Sequence, residues 1–488
     1  MDIRNQRSAT AGSVDAEFDV IVLGVGTCGE DLSLRLLDAG LEVLGIEAAL
    51  VGGECAYWAC LPSKMMIRAA NALQEARRVA GVAGQAEVTP DWQMVAARVR
   101  AEATGGWDDS AATDRFQARG GTLIHGRGQL TGPRTVKVGD RHFAARRGVV
   151  IATGSKPSIP PIPGLAEVEY WTTHDIIQLE SLPRSLIVLG GGAVGCELGQ
   201  VLARFGVPVT IVEAADRLIP AEEPEASAVL AAAFADEGIV VRTGSAVEKV
   251  AARDGALVVS LADGAAVTAE RLLVATGRRV DLSGLGLETV GLSSTDRAIP
   301  ADERLRAADG LWAMGDVTGK AMFTHVALYQ SAIIAADFLG REHPPARYDA
   351  VPRVTFTDPE VGAVGLTEKD AREAGQDVVA VVKQLPATFR GWLHATDGGV
   401  IKLVIDRTSG VIVGATTAGP HGGEMLGLLN LAVHARLPLA ELNSMIYAFP
   451  TFYGAIGEAI GAYARGLTTV LDPAYEGLRQ IDAIGPAN

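Results

Sequence analysis

The 488-residue chain holds 57 glycines, is 48% apolar but only 5% aromatic, and carries a formal charge of -15. Its length exceeds what a single hydrophobic core supports, so several domains are expected, and its acidity argues against binding a nucleic-acid backbone or an anionic membrane surface. No run approaches the roughly 18 apolar residues of a membrane span, and the start of the chain lacks the apolar centre of a signal peptide, so a cytoplasmic location is expected. Four cysteines, at positions 28, 55, 60 and 196, are too few for a secreted disulfide framework.

In chain order, residues 1–16 have no apolar period and read as a flexible tail. Phe18-Asp19-Val20-Ile21-Val22-Leu23 has the length and β-branched content of a buried strand and runs directly into Gly24-Val25-Gly26-Thr27-Cys28-Gly29. A helix is expected to about Ala39, and a strand over Glu42 to Ile46 leads onto Glu47. This is a dinucleotide-binding unit: Gly24 allows the turn, Gly26 admits a pyrophosphate, Gly29 lets helix and strand close up, and Glu47 accepts from ribose hydroxyls. The same design returns as Ser185 to Leu189, then Gly190-Gly191-Gly192-Ala193-Val194-Gly195, a helix, and Val209 to Val212 ending on Glu213. Glu47 follows Gly24 by 23 residues, as Glu213 follows Gly190, and matching tripeptides Ala152-Thr153-Gly154 and Ala275-Thr276-Gly277 come later. An acid at Glu213 repels a 2′-phosphate, so NAD(H) is expected over NADP(H), with Arg217 read as a solvated surface residue. Beyond Pro344, strands such as Arg353 to Thr357 and Val400 to Ile405 alternate with Ala- and Leu-rich helices, as in a separate α+β domain.

Between the two units stands Gly52-Gly53-Glu54-Cys55-Ala56-Tyr57-Trp58-Ala59-Cys60-Leu61-Pro62-Ser63-Lys64. In a regular helix Cys55 and Cys60 would lie about 8.6 Å apart, too far for a disulfide, so the segment must be distorted if the pair closes. Strain of that kind suits a reducible electron relay. Cys28 and Cys196 read as buried free thiols. Tyr57 and Trp58 either shape a flat acceptor site or fill core, and Glu54 is expected to be solvent-exposed.

The Cys-x4-Cys with its Pro-Ser-Lys resembles the pyridine nucleotide-disulfide oxidoreductases, the family of dihydrolipoamide dehydrogenase, glutathione reductase and mercuric reductase, and the likeness covers roughly residues 18 to 465. The resemblance implies an α/β fold with two Rossmann-like domains and a C-terminal α+β dimerisation domain: FAD-binding over 17–157 and 281–345, NAD-binding over 158–280, dimerisation over 346–488. It implies a homodimer, no metal, and FAD and NAD(H) as cofactors. Cys60 would be the thiol facing the flavin and Cys55 the outer thiol, with Lys64 paired to Glu197. FAD contacts would come from Gly24, Gly26, Gly29, Glu47, Gly53, Lys64, Gly126, Gly128, Thr153, Gly154, Asp316, Met322 and His325. Nicotinamide nucleotide contacts would come from Gly190, Gly192, Ala193, Val194, Gly195, Glu213 and Gly277.

The chain departs from the family at its C-terminal domain. Family disulfide reductases end this domain with a His-Pro pair and an orienting glutamate, which serve the partner subunit's thiols as acid and base. Here Tyr447-Ala448-Phe449-Pro450-Thr451-Phe452-Tyr453-Gly454 places Phe449 and Gly454 at those positions. Tyr447 and Tyr453 are read as packing residues of an apolar helix, and His394, His421 and His434 remain acid-base candidates by default. No cysteine follows Cys196, so the extra C-terminal pair of mercuric reductases is missing. The expected activity is electron transfer from NADH through flavin and the cysteine pair to a small-molecule acceptor, a disulfide first. Alternatives are a quinone or other electron-acceptor reductase, a thioether-cleaving relative, and a non-catalytic redox-sensing flavoprotein.

Overall fold

The computed structural model describes residues 14–466 and the strand Thr469–Val470. All but residues 14–16 of the tail expected over 1–16 lies outside the described residues. The chain forms two compact units: one from the residues up to Pro62 with Val99–Pro157 and Arg278–Arg347, the other from Ser63–Arg98, Ser158–Gly277 and the residues from Tyr348 on.

In the first unit, β1 (Ala16–Leu23), α1 (Thr27–Asp38) and β2 (Val43–Glu47) form the first strand-turn-helix-strand unit. The strand opens two residues before Phe18 because Ala16 already pairs with Phe143. Five parallel strands lie in the order Thr122–His125, β2, β1, Arg141–Ile151, Leu311–Ala313, with Arg306–Ala308 antiparallel at the edge. The two-residue period of β1 explains why this sheet is covered twice. Val20 and Val22 pack with Leu32 and Leu36 of α1 and with Ile333 and Ile334 of the helix Thr324–Phe338. Ile21 and Leu23 pack on the opposite face with Leu44, Ile46, Phe143 and Val149. Each such side chain contributes about 1.5–3 kcal/mol of burial free energy.

The cysteine segment breaks into α2 (Gly53–Tyr57) and α3 (Cys60–Val82). In the second unit, β3 (Leu186–Leu189), α4 (Ala193–Arg204) and β4 (Val209–Val212) repeat the first motif within a four-stranded parallel sheet completed by Val240–Arg242 and Arg271–Val274. A six-stranded sheet, antiparallel except where Thr469–Val470 joins Val378–Gln384, belongs to the same unit. Helices Gly422–His434 and Gly454–Ala464 pack on it through Leu426, Leu429, Ile456 and Ile460. The strand expected to Thr357 stops at Thr355, ahead of Asp358-Pro359.

Candidate active site

The two glycine turns are built alike atom by atom. A Cβ at Gly24 would lie 2.4 Å from the Ala152 carbonyl oxygen, and one at Gly190 2.4 Å from that of Ala275. At the third glycines, a Cβ on Gly29 would come within 2.1 Å of Gly24 O, and one on Gly195 within 2.0 Å of Gly190 O. The middle glycines differ: a Cβ at Gly26 would meet only Gly53 Cα, at 3.8 Å, and one at Gly192 nothing within 4 Å. Those open backbone faces at the start of α1 and α4 fit a pyrophosphate on a helix N-terminus. Gly29→Val is therefore expected to push α1 off its turn and yield protein that purifies without flavin absorbance; full flavin content would contradict this packing.

The two acids also match. Glu47 Oε2 accepts from Val25 N at 2.7 Å and Oε1 from Ala49 N at 2.8 Å. Glu213 Oε2 accepts from Gly191 N at 2.6 Å and Oε1 from Ala215 N at 2.7 Å. Each carboxylate thus closes its own glycine turn, the residue that follows the first glycine donating in both. Gly126 N donates to the Glu47 carbonyl at 2.7 Å, which brings the turn before Gly128 to the end of β2. Arg217 is not the solvated residue expected: its guanidinium donates to the carbonyls of Pro220 at 2.8 Å and Glu222 at 3.3 Å. Thr153 and Gly154 follow the end of the Arg141–Ile151 strand, Gly277 follows Arg271–Val274, and Ala193 and Val194 open α4.

Between the cysteines the helix does break, as a closing pair requires. Trp58, with φ -131°, ends α2, and Cys60 opens α3. Both cysteines are thiols here, and Cys55 is hydrogen-bonded with Cys60. That bond and then burial push the Cys55 thiol well above its ordinary value, partly offset by hydrogen bonds with Thr324 and Thr27. Cys60 Sγ lies 3.3 Å from Thr324 Oγ1. Cys28 donates to Thr324 O at 3.6 Å and is pushed up to about 12 by burial and by Asp31, while Cys196 is buried against Gly191 O. Tyr57 is buried against Gly52, and half-buried Trp58 stacks on Trp107 with centroids 5.7 Å apart, so both serve packing.

Lys64 Nζ donates to Glu197 Oε2 at 2.8 Å, and Glu197 Oε1 accepts from Phe356 N at 2.8 Å. The ammonium also lies 4.7 Å from the Phe356 ring centre. The adjoining turn of α4 is held by Arg204, whose guanidinium is 1% exposed. It donates to both Glu237 oxygens at 2.8 and 2.6 Å, to Asp358 Oδ2 at 2.8 Å and to Asn71 Oδ1 at 2.6 Å. Sequence reading missed this residue; only its place at the end of a helix that is mostly apolar and small hinted at it.

Asp316 accepts from Ser155 Oγ, which in turn accepts from Arg278 Nε at 2.8 Å. Arg278 also donates to Ser155 O at 2.6 Å and, through Nη1, to Glu54 Oε1 at 3.1 Å. Glu54 is thus ion-paired, contrary to the expectation of an exposed carboxylate. Met322 is partly exposed, and His325 stacks on Phe323 with centroids 5.1 Å apart.

In the C-terminal domain, Tyr447 to Tyr453 is not helical; the helix starts at Gly454, since Pro450 interrupts the apolar run. Phe449 is 72% exposed and meets Phe389 edge-on at 5.0 Å. Both line a cleft of about 300 Å³ with Arg390, Tyr447, Gly454 and Glu458. Tyr447 donates to Leu442 O at 2.9 Å and Tyr453 Oη accepts from Ala448 N at 2.9 Å. His394 and His421 stand 6.2 Å apart against Phe452, and burial holds His394 below its ordinary value. His434 ends its helix.

Among the described residues no cluster of His, Cys, Asp and Glu is arranged to hold a metal ion, and no helix is long and apolar enough to cross a membrane. The family described as pyridine nucleotide-disulphide oxidoreductase matches residues 18–331, and its dimerisation domain matches residues 351–460. A dihydrolipoyl dehydrogenase of Thermus scotoductus is 32% identical over 467 residues, covering 93% of this chain and 99% of the relative. A mercuric reductase of Shigella flexneri is 32% identical over 461 residues, covering 92% and 80%. The HOCl-induced flavoprotein disulfide reductase RclA from Escherichia coli superposes with a TM-score of 0.80 at 26% identity, covering 91% of this chain and 99% of that one. LpdA from Mycobacterium tuberculosis gives 0.81 at 27%, covering 92% and 99%. With its paired glycine turns, its split cysteine helix and its C-terminal domain, the chain belongs to the pyridine nucleotide-disulphide oxidoreductase family, enzymes that use FAD and NAD(P)H.

Proposed function

We propose that this enzyme passes electrons from NADH to the Cys55–Cys60 pair and from there to a disulfide whose leaving thiols need no acid from the enzyme. The observation that carries the reading is the hydrogen-bonded dithiol at the break between α2 and α3. When bound, the flavin supplies the two-electron step between nicotinamide and cysteines. The residues of the chain do the rest. Thr324 holds Cys60 in place and Cys55 offers the attacking thiolate to the acceptor sulfur. As a mixed disulfide forms and Cys60 resolves it, the Cys55–Cys60 bond closes and the acceptor leaves as two thiols. The Lys64–Glu197 pair is assigned to the FAD site, as are Gly24, Gly26, Gly29, Glu47 and Asp316. Glu213, which accepts backbone N–H groups in the second turn, supports NADH over NADPH. The dimerisation domain supports a homodimer whose partner subunit brings Phe449 and Gly454 to the acceptor side.

A second acceptor class is favoured by one feature. The aromatic-lined cleft at Phe389 and Phe449 suits a flat electron acceptor such as a quinone better than a peptide-like disulfide.

An anaerobic NADH titration of the holoenzyme tests both readings. The disulfide reading expects uptake of two reducing equivalents with a long-wavelength thiolate–flavin band that disappears in Cys60→Ser, and disulfide reduction that disappears in Cys55→Ser. Bleaching of flavin without dependence on either cysteine, together with quinone turnover in both variants, would transfer the assignment to the quinone.

A further inference from the structure

The stretch that carries the redox pair brings an acid, Glu54, directly before Cys55. Consecutive Cα atoms are about 3.8 Å apart, so the two side chains stand well inside the ~10 Å over which charges act in dilute salt. A lone carboxylate there would disfavour the Cys55 thiolate, which is the attacking species in disulfide exchange. Glu54 is not alone. Arg278, 224 residues away in sequence, donates to it at 3.1 Å and is itself locked by two bonds to Ser155, at 2.8 Å from Nε and 2.6 Å from Nη2. Ser155 continues the chain by donating to Asp316, whose Oδ2 also lies 4.0 Å from Arg278 Nε. Arg278 owes its place to the short ribbon in which Arg278–Arg279 pairs antiparallel with Lys156–Pro157. An unbroken polar path therefore runs from the residue before Cys55 to the carboxylate assigned to the FAD site.

We infer that Glu54 and Arg278 are a positioning pair for the outer thiol: Arg278 balances the Glu54 charge and anchors α2 through Ser155 to Asp316, so that Cys55 does not stand beside an unpaired carboxylate. This rests on the reading of Cys55 as the outer redox thiol. Among the described residues the side chains that act most strongly on Cys55 are Cys60 from α3, Thr324 from the helix Thr324–Phe338 and Thr27 from α1, and of these only Cys60 is titratable. His325, the next residue, is stacked on Phe323, and Asp31 and Asp316 act on Cys28. Glu54, next to Cys55 in the chain, and Arg278, bound to it at 3.1 Å, are an opposite-charge pair, and on this inference their separate removal pushes Cys55 in opposite directions.

The test is the pH profile of Cys55 alkylation by iodoacetamide, read peptide by peptide by mass spectrometry on holoenzyme reduced with dithiothreitol and desalted under argon. Cys28 serves as the internal reference. Glu54→Gln leaves Arg278 with Asp316, at 4.0 Å, as its acid and is expected to move the Cys55 midpoint down by about half to one pH unit, roughly three- to tenfold faster alkylation below it. Arg278→Gln is expected to move it up by a similar amount, Glu54→Asp to restore the wild-type profile, and the double variant to return to within about twofold of wild type. Shifts of both single variants in one direction would mark a purely structural contact and overturn the inference. So would an unmoved profile in Glu54→Gln, which keeps every Arg278 bond to Ser155 and so tests the idea even if Arg278→Gln loses flavin. Because alkylation needs no turnover, a failure here is distinct from a failure of the relay itself, which the NADH titration reads.

Discussion

Phe449→His combined with Gly454→Glu is expected to raise the rate at which NADH-reduced enzyme turns over an unactivated dithiol–disulfide acceptor by about 10²-fold, toward the 10²–10⁴ that positioned acid-base groups supply. The site accepts both changes. Phe449 is largely solvent-exposed, so an imidazole meets little desolvation, and both positions line the same cleft. A Cβ at position 454 would meet Thr451 Oγ1 at 3.0 Å and Ala448 O at 3.2 Å, contacts that a small shift of the loop relieves. Position 454 is also the first residue of its helix, where a carboxylate is favoured by the helix dipole. The present occupants offer no substitute: Tyr447 and Tyr453 are bound to backbone groups of the loop, and burial together with Tyr453 holds the Tyr447 phenol above its ordinary value. The gain should appear in kcat for disulfides with poor leaving thiols and be small for activated aromatic disulfides. A double variant that keeps its flavin and dimer but gains nothing on any disulfide would count against a disulfide acceptor and for the quinone.

Arg204→Ala is expected to destabilise the protein by about 3 kcal/mol, because it takes from Glu237 the buried guanidinium that pairs with it and leaves Asp358 with Arg78, at 2.8 Å, as its remaining cation. Glu237 and Asp358 each lose a charge-assisted bond, and Asn71 of α3 loses its partner. Gln200 keeps its bonds to Glu237 and Asp358, at 3.0 Å to the first and 2.7 Å to the Asp358 carbonyl, but supplies no charge. Arg204→Lys should fall between, since an ammonium cannot reproduce the fork that meets both Glu237 oxygens. Urea unfolding of the holoenzyme measures the effect, and a loss under about 1 kcal/mol would show that the cluster is not holding α4 in place. Because the same helix bears Glu197, weakened flavin retention should accompany the loss.

The parts of this protein that were legible in its sequence are those in which a few neighbouring residues leave the backbone no choice. Two glycine turns with acids 23 residues on specified two nucleotide-binding units, because a Cβ at Gly29 or Gly195 has no space whatever the rest of the chain does. The spacing of Cys55 and Cys60 called for a broken helix if the pair is to close, and the break at Trp58 is there. Where the reading failed, a distant or intervening group decided the outcome. The apolar run from Tyr447 looked helical by composition, but Pro450 keeps it open until Gly454. Glu54 and Arg217 looked like solvated charges because surface is where most charges lie. Glu54 instead meets Arg278 across 224 residues, and Arg217 turns back onto carbonyls of its own loop. Arg204 likewise gathers Asn71, Glu237 and Asp358 from three separate segments. Local sterics are written in the order of residues, whereas the partner of a charge is whichever opposite group the folded chain brings within reach, and only the tertiary structure decides that.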